Sequence, residues 1–503
     1  MKKVILILGM LIPLNVLVSC SDWLDVEPKA EIELSTMHET EQGIKDALIG
    51  CYILMSDEAL YGAQMTCTFM EVLGQQFALL GSTASSYYDA SRYIYTEEGT
   101  ENIIDGIWSG LYNVIANVNA LIEGMESNEG IMRPTAYALL RAEAYSLRAF
   151  CYLDLVRCFT PGNLVNRPEK LDEISIPYVK VYDKEIADRE KLRDVLQYIH
   201  DDLNIALELF EAYDPLSRSG VRPDDYEDLT EDEDPFYTWA QRCYRMNLKA
   251  ALATQMRLNM WEGNYVAAKQ DAEELIDLGL AWAIRLDDEE NERDLTFSAE
   301  MVFGVETFER MDNVVTPYFA LVEQVGENGS NMNYNALYLP QARADELYEI
   351  ASNVGTSDWR YLRLWDRSEA NFAFLKFWEY EDMVYTNRMP LIKTPEIYYT
   401  ACECLLREGG DANKNQTITY LNNVRNNRNI PADINLSYDL TEEEAWDELE
   451  KEMRKEYMGE GQMFFYYKRI GATSIPYGPA VTYDDNAYVL PIPQDETDFG
   501  FQE

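Results

Sequence analysis

Residues 249–279 read KAALATQMRLNMWEGNYVAAKQDAEELIDLG, and this stretch decides the fold. Small or apolar side chains recur at Ala250, Ala253 and Leu258, and again at Ala268, Ala272 and Leu275, spacings that gather each set on a helix face. Gly263 stands between the two sets as a turn residue, and Tyr265 follows two positions later. The stretch is a helical hairpin whose small residues let two helix axes approach closely.

Helix pairs of this kind are what tetratricopeptide units stack into a scaffold. A degenerate second copy spans Pro395–Asn429, with Tyr398, Ala401, Leu405, Ala412, Leu421 and Val424 in the corresponding pattern. Upstream, a first helix is expected near Glu41–Met55, and Ile104, Ile107, Trp108, Leu111, Ile115, Val118 and Ile122 form an amphipathic stripe. Another helix follows Pro134, with Tyr137, Leu140, Ala144, Leu147, Cys151 and Leu155 on one face, and stops at Pro161-Gly162. A further one runs over Glu190–Ala212, with Leu192, Val195, Ile199, Leu203, Leu207 and Phe210 facing inward. Thr441 and Glu444 make a capping box ahead of Trp446, Leu449 and Met453. The predicted fold class is mostly α: a tetratricopeptide-like scaffold of helical hairpins with an irregular, loop-rich ligand-binding face and a few short strands.

Two regions break the helical pattern. Residues 65–98 carry Gly74, Gly81 and several tyrosines and read as loop; residues 288–390 form a loop-rich insertion in which 301–305 and 372–378 read as short strands. Trp108, Trp261 and Trp446 sit on helical stripes and belong to the core.

At the amino terminus Lys2 and Lys3 precede an apolar run over Val4–Leu14, interrupted by Pro13, and Leu17-Val18-Ser19-Cys20 closes it. This is a lipoprotein signal over residues 1–19, with Cys20 as the lipidated first mature residue, residues 20–35 as a tether and 20–503 as a single body. No later apolar run approaches membrane-span length.

The chain carries 89 acidic and 42 basic residues, a net charge of -47, which disfavours nucleic acid and anionic lipid as partners. Seven cysteines remain beyond Cys20, without CxxC pairs, so buried thiols are expected rather than a disulfide framework. Cys402 and Cys404 point to different helix faces and make a poor metal pair. Asp224–Asp234 holds eight acidic residues in eleven but lacks the ordered spacing of a calcium loop; no cofactor is expected beyond a structural calcium at most.

Histidine-based catalysis would need both His38 and His200, assigned to the tether and to a core helix, and the nucleophile, phosphate-loop and metalloprotease motifs are missing. The chain reads as a binding protein, not an enzyme. Sugar rings stack on aromatic faces while their hydroxyls need planar polar partners, so a glycan site mixes Tyr and Trp with Asn, Gln, Asp and Arg on loops. One stretch with this mixture offers Glu71, Gln75, Tyr88, Arg92 and Tyr93; the other offers Asn333, Tyr338, Trp359, Arg360 and Trp365. Asp358-Trp359-Arg360 reads equally as a turn pinned by an ion pair.

Four pieces in order along the chain resemble the SusD/RagB family of nutrient-uptake lipoproteins of Bacteroidota: Cys20 to Asp25, Arg141-Ala142-Glu143-Ala144-Tyr145, Glu460-Gly461 to Arg469-x-Gly471, and Leu490-Pro491-Ile492-Pro493. The resemblance implies an outer-membrane, cell-surface lipoprotein that binds oligosaccharide, expected as a neutral glycan, and hands it to a SusC-like TonB-dependent transporter; a peptide cargo, as in RagB-like importers, is the alternative. It also implies ligand contacts in the two loop regions named above. Met463 and Tyr466 depart from the Arg and Asp usual in the Glu-Gly segment, a difference read as structural.

Overall fold

The computed structural model describes residues 36–217, 235–283, 294–321, 333–380, 383 and 386–500. The signal and Cys20, the tether, and nearly all of the Asp224–Asp234 run's surroundings including the run itself lie outside them. Among the described residues the principal helices are α1 (Glu41–Met55), α2 (Glu98–Ser127), α3 (Pro134–Phe159), α4 (Leu192–Tyr213), α5 (Leu248–Glu262), α6 (Tyr265–Asp277), α7 (Thr394–Glu408), α8 (Asp411–Asn426), α9 (Glu442–Glu456) and α10 (Gln462–Ile470). Sequential neighbours pack as pairs: α1 on α2, α3 on α4, α5 on α6, and α7 on α8, with α6 against α7 joining the last two hairpins.

Local chemistry sets the ends of these helices. Thr40 caps α1 by accepting the Gly43 amide, and Pro134 opens α3, where the missing amide costs nothing. In the diagnostic hairpin, Asn247 caps α5, Gly263 takes the left-handed conformation at φ 80°, and Asn264 caps α6. The capping box at Thr441 and Glu444 is complete in both directions.

Helix α3 is buried on all sides rather than along one stripe, which puts it at the centre. Its charges are therefore paired across to neighbouring elements: Glu143 accepts from Arg245 and Tyr52, and Arg148 grips Asp202 through two bonds of 2.7 Å. His38 is not on a free tether. Its imidazole is buried against Gly124 of α2, while His200 on α4 meets Glu262 at 2.7 Å, so the two histidines occupy separate places. Cys51, Cys67, Cys151, Cys158, Cys402 and Cys404 are buried free thiols, and Cys243 is half-buried. Trp108 and Trp261 are core residues as expected, while Trp446 is half-buried at the core's edge.

The insertion is tied back at its base. Strand β4 (Met301–Glu306) pairs antiparallel with β8 (Arg388–Lys393). Above it lies a four-stranded sheet in the order β1 (Ala78–Leu79), β5 (Leu337–Pro340), β7 (Asn371–Phe374), β6 (Trp365–Asp366), so a strand from the first loop region joins three from the insertion. A small hairpin of β2 (Ile174–Pro177) and β3 (Arg189–Lys191) precedes α4.

Under this sheet runs a buried ionic network. Asp358, Glu300, Glu349, Glu452, Glu456 and Glu460 are linked to Arg360, Arg425, Arg428, Lys376, Lys393 and Lys455 at 2.5–3.3 Å. Six carboxylates face six cations in this set, and Glu349 also reaches Lys451, itself paired with Glu448, so among the described residues the formal charges of the network balance. The surrounding cations hold the Glu456 carboxyl well below the usual range despite its burial, with Arg428 and Lys393 the strongest.

Candidate ligand-binding face

Strand alternation decides which side chains the sheet offers to solvent. Tyr338 pairs with Ala78 on one side and Ala373 on the other, and Ala373 pairs with Asp366, so these four share the outer face. The inner face carries Leu337, Leu339, Phe372, Phe374 and Trp365, packed on Phe77, Phe319 and Phe377. Tyr338 thus stands between two alanines on a rigid base, its ring unobstructed by its strand neighbours.

The two loop regions meet beside it. The Ser86 amide and hydroxyl both donate to Asn335 at 3.0 and 3.1 Å, and Gly81 lies so close to Tyr334 that a Cβ there would stand 2.4 Å from its carbonyl oxygen. Tyr334 is exposed, and Tyr88 carries Arg92 over its ring at 5.4 Å. Stretches about 250 residues apart in sequence (Ser86 to Asn335, separation 249) therefore build one shallow aromatic surface.

The structure divides the candidate side chains into two groups. Tyr88, Arg92 and Tyr338 reach this surface. Seven others are corrected from loop-exposed to buried, each for a visible reason. The Glu71 carboxylate accepts the Gly461 amide at 2.7 Å, and burial pushes its carboxyl up to about 8. Gln75 donates to the Ser91 carbonyl, and Tyr93 to the Leu73 carbonyl, both residues having left-handed backbone. Asn333 pins its loop by donating to the carbonyls of Thr316, Pro317 and Ala320. Asp358 caps a short helix over Trp359–Arg363, which turns Trp359 inward and locks Arg360 between Asp358 and Glu452, the ion-pair turn rather than a ligand contact. Trp365 belongs to the inner face, its indole Nε1 donating to Tyr348 at 3.3 Å.

A third segment was not among the expected ones. Residues 472–484 approach the same side: Tyr483 meets Tyr93 edge-on at 5.5 Å, and the Tyr477 hydroxyl donates to Glu346 at 2.6 Å, beside the sheet's exit from β5. Its sequence, Pro476-Tyr477-Gly478-Pro479, carries the turn-plus-aromatic signal that marked the other loops.

Known proteins share this architecture. Residues 22–218 match a family model, SusD-like_3, described as starch-binding associating with outer membrane. Solved SusD superfamily structures from Bacteroides vulgatus and Bacteroides thetaiotaomicron share the fold over 92% and 91% of this chain and 98% of theirs, with TM-scores of 0.68 and 0.66 at 16% and 21% identity. The chain has the SusD-like fold, and its amino-terminal residues 22–218 are similar to the SusD-like family. A structure named SusD-like carbohydrate binding protein from Bacteroides vulgatus aligns over 91% of this chain and 96% of its own, at 17% identity and a TM-score of 0.65. Among curated proteins, SusD-like protein P25 of Formosa agariphila is 24% identical over 162 residues, 31% of either chain, and a SusD-like protein of Bacteroides ovatus is 29% identical over 106 residues, 21% of this chain and 18% of its own. These alignments span about a third and a fifth of those relatives' lengths.

The structure accounts for the Glu460-Gly461 piece as a backbone device. Gly461 sits at φ 69°, gives its amide to Glu71, and leaves no room for a Cβ, which would stand 2.5 Å from the Met65 carbonyl oxygen. Met463 and Tyr466 in the same segment are buried packing residues.

Proposed function

We propose that this protein is a cell-surface lipoprotein that binds oligosaccharides on the outer face of its four-stranded sheet and passes them to a SusC-like TonB-dependent transporter in the outer membrane. The observation that carries the reading is the platform itself: Tyr338 laid between Ala78 and Ala373, with Tyr334, Tyr88 and Arg92 at its border. Flat aromatic rings with planar polar neighbours suit sugar rings, and a shallow site suits a chain of them. The family model's description and the carbohydrate-binding neighbour support the same ligand class. Residues 36–500 supply no helix long and apolar enough to cross a membrane among those described, so attachment rests on Cys20 and its acyl chains in this reading.

Isothermal titration of the purified protein with glycans selected on an array tests the binding role. Saturable binding that weakens about tenfold in Tyr338→Ala, the order expected for one stacking ring, supports it. Peptides, rather than glycans, recovered with the protein and its transporter from detergent extracts would contradict it. Palmitate labelling of the wild type, absent from Cys20→Ala, tests the anchor.

A further inference from the structure

The charge of the platform's border is unusual for this chain. Net charge is -47, yet three arginines there make no ion pair among the described residues: Arg92, which lies over Tyr88, Arg343, following β5, and Arg454 on α9. The guanidinium groups of Arg343 and Arg454 lie over one ring, Tyr477, at 4.3 and 5.5 Å from its centroid. Arg343 is also within electrostatic reach of Tyr338, the platform's central ring, and of Arg454.

Two carboxylates stand near enough to neutralise the pair, and neither bonds to it. Glu346 accepts the Tyr477 hydroxyl at 2.6 Å, and Glu450 accepts the Tyr467 hydroxyl at 3.2 Å. Arg454 keeps its backbone carbonyl engaged by Gln76 at 3.0 Å, which fixes its position, while its Nε is buried with no hydrogen-bond partner. Such an atom is costly to leave unpaired. Arg343 is half-buried, and burial works against its charge. Tyr477 itself holds a left-handed backbone at φ 64°, an uncommon conformation for a bulky residue, and a Cβ on the following Gly478 would stand 2.0 Å from the Tyr483 hydroxyl, so the loop is fixed by close packing. Unpaired planar donors, pre-positioned beside a sugar platform, match an anionic oxygen group better than a hydroxyl.

Resting on the glycan reading above, we propose that Arg343 and Arg454, gathered over the Tyr477 ring, form a subsite for a carboxylate or sulfate of the bound oligosaccharide, so that the cargo is an acidic glycan rather than a neutral one. Tyr477 positions the two cations through its face and is itself positioned by Glu346. The anion completes donors that the protein leaves unfilled.

A glycan array holding neutral, uronic-acid and sulfated oligosaccharides, followed by titration calorimetry on the hits, tests this. Binding is expected to acidic glycans, the uronic and sulfated arms telling carboxylate from sulfate. Affinity is expected to fall about tenfold in Arg343→Gln and to weaken as sodium chloride is raised, the scale of one lost charge-assisted bond. Arg454→Gln serves as the second variant, and thermal unfolding checks that each is folded. Hits confined to neutral glycans would overturn the subsite and leave the glycan reading standing. Acidic binding unchanged in both folded variants would do the same. No glycan bound at all would remove both.

Discussion

Single residues in this chain divide by which side of a short strand or turn they fall on. Trp359 and Tyr338 looked equivalent in sequence, yet Asp358 caps the turn that buries Trp359, while strand pairing lifts Tyr338 outward. Trp359→Ala is accordingly expected to lower stability by about 3–5 kcal/mol in denaturant unfolding and to leave the glycan affinity of the folded protein unchanged. A large affinity loss without destabilisation would return Trp359 to the site. Glu71 provides a pH-dependent counterpart. Its folded pKa is raised by burial to about 8 from an ordinary 4.5, so the stability it confers is fully present below about pH 4.5 and is lost as pH rises through 8. Glu71→Gln keeps an acceptor for the Gly461 amide and does not titrate. The difference between the urea midpoints of wild type and variant should drift across pH 4.5–8, against the wild type as pH rises; parallel profiles would show that Glu71 does not carry this shift.

At the scale of elements, helices were legible because apolar periodicity and end signals act locally. Glu41–Met55 and the hairpin around Gly263 stand where their sequence put them, and the Thr441 capping box is formed. Strand pairing was not legible: two residues of β1 join β5 across a long stretch of chain, and nothing local to Ala78 specifies that partner. The charged interior was equally hidden, since Arg428 meets Glu300 from far away in sequence and each charge is harmless only in the other's presence. Removing one member exposes its partners' cost. Arg428→Met should destabilise by about 3–5 kcal/mol in chemical unfolding, and a variant as stable as wild type would show that Glu300 and Glu456 find other partners. Their depressed relatives set the acid limit: Glu456 and Glu403 are held below the usual carboxylate range by Arg428 and Arg469, so the stability they contribute is present above about pH 4.5 and disappears as pH falls towards their folded values.

Across the whole molecule, a helical scaffold carries a small sheet whose outer face is assembled from segments far apart in the chain. Two of the three loops at that face were recognisable from their aromatic content, because tyrosines among turn residues mark surfaces as well as cores. Their meeting, the inward rotation of most of the named side chains, and the arrival of residues 472–484 follow only from tertiary packing. The most direct test of the account is hydrogen–deuterium exchange on the purified protein with and without a glycan that it binds. Added protection is predicted in residues 82–92, 334–343 and 472–484, and little change along the α5–α6 hairpin. Protection confined to the helical hairpins, with these three segments unaffected, would contradict it.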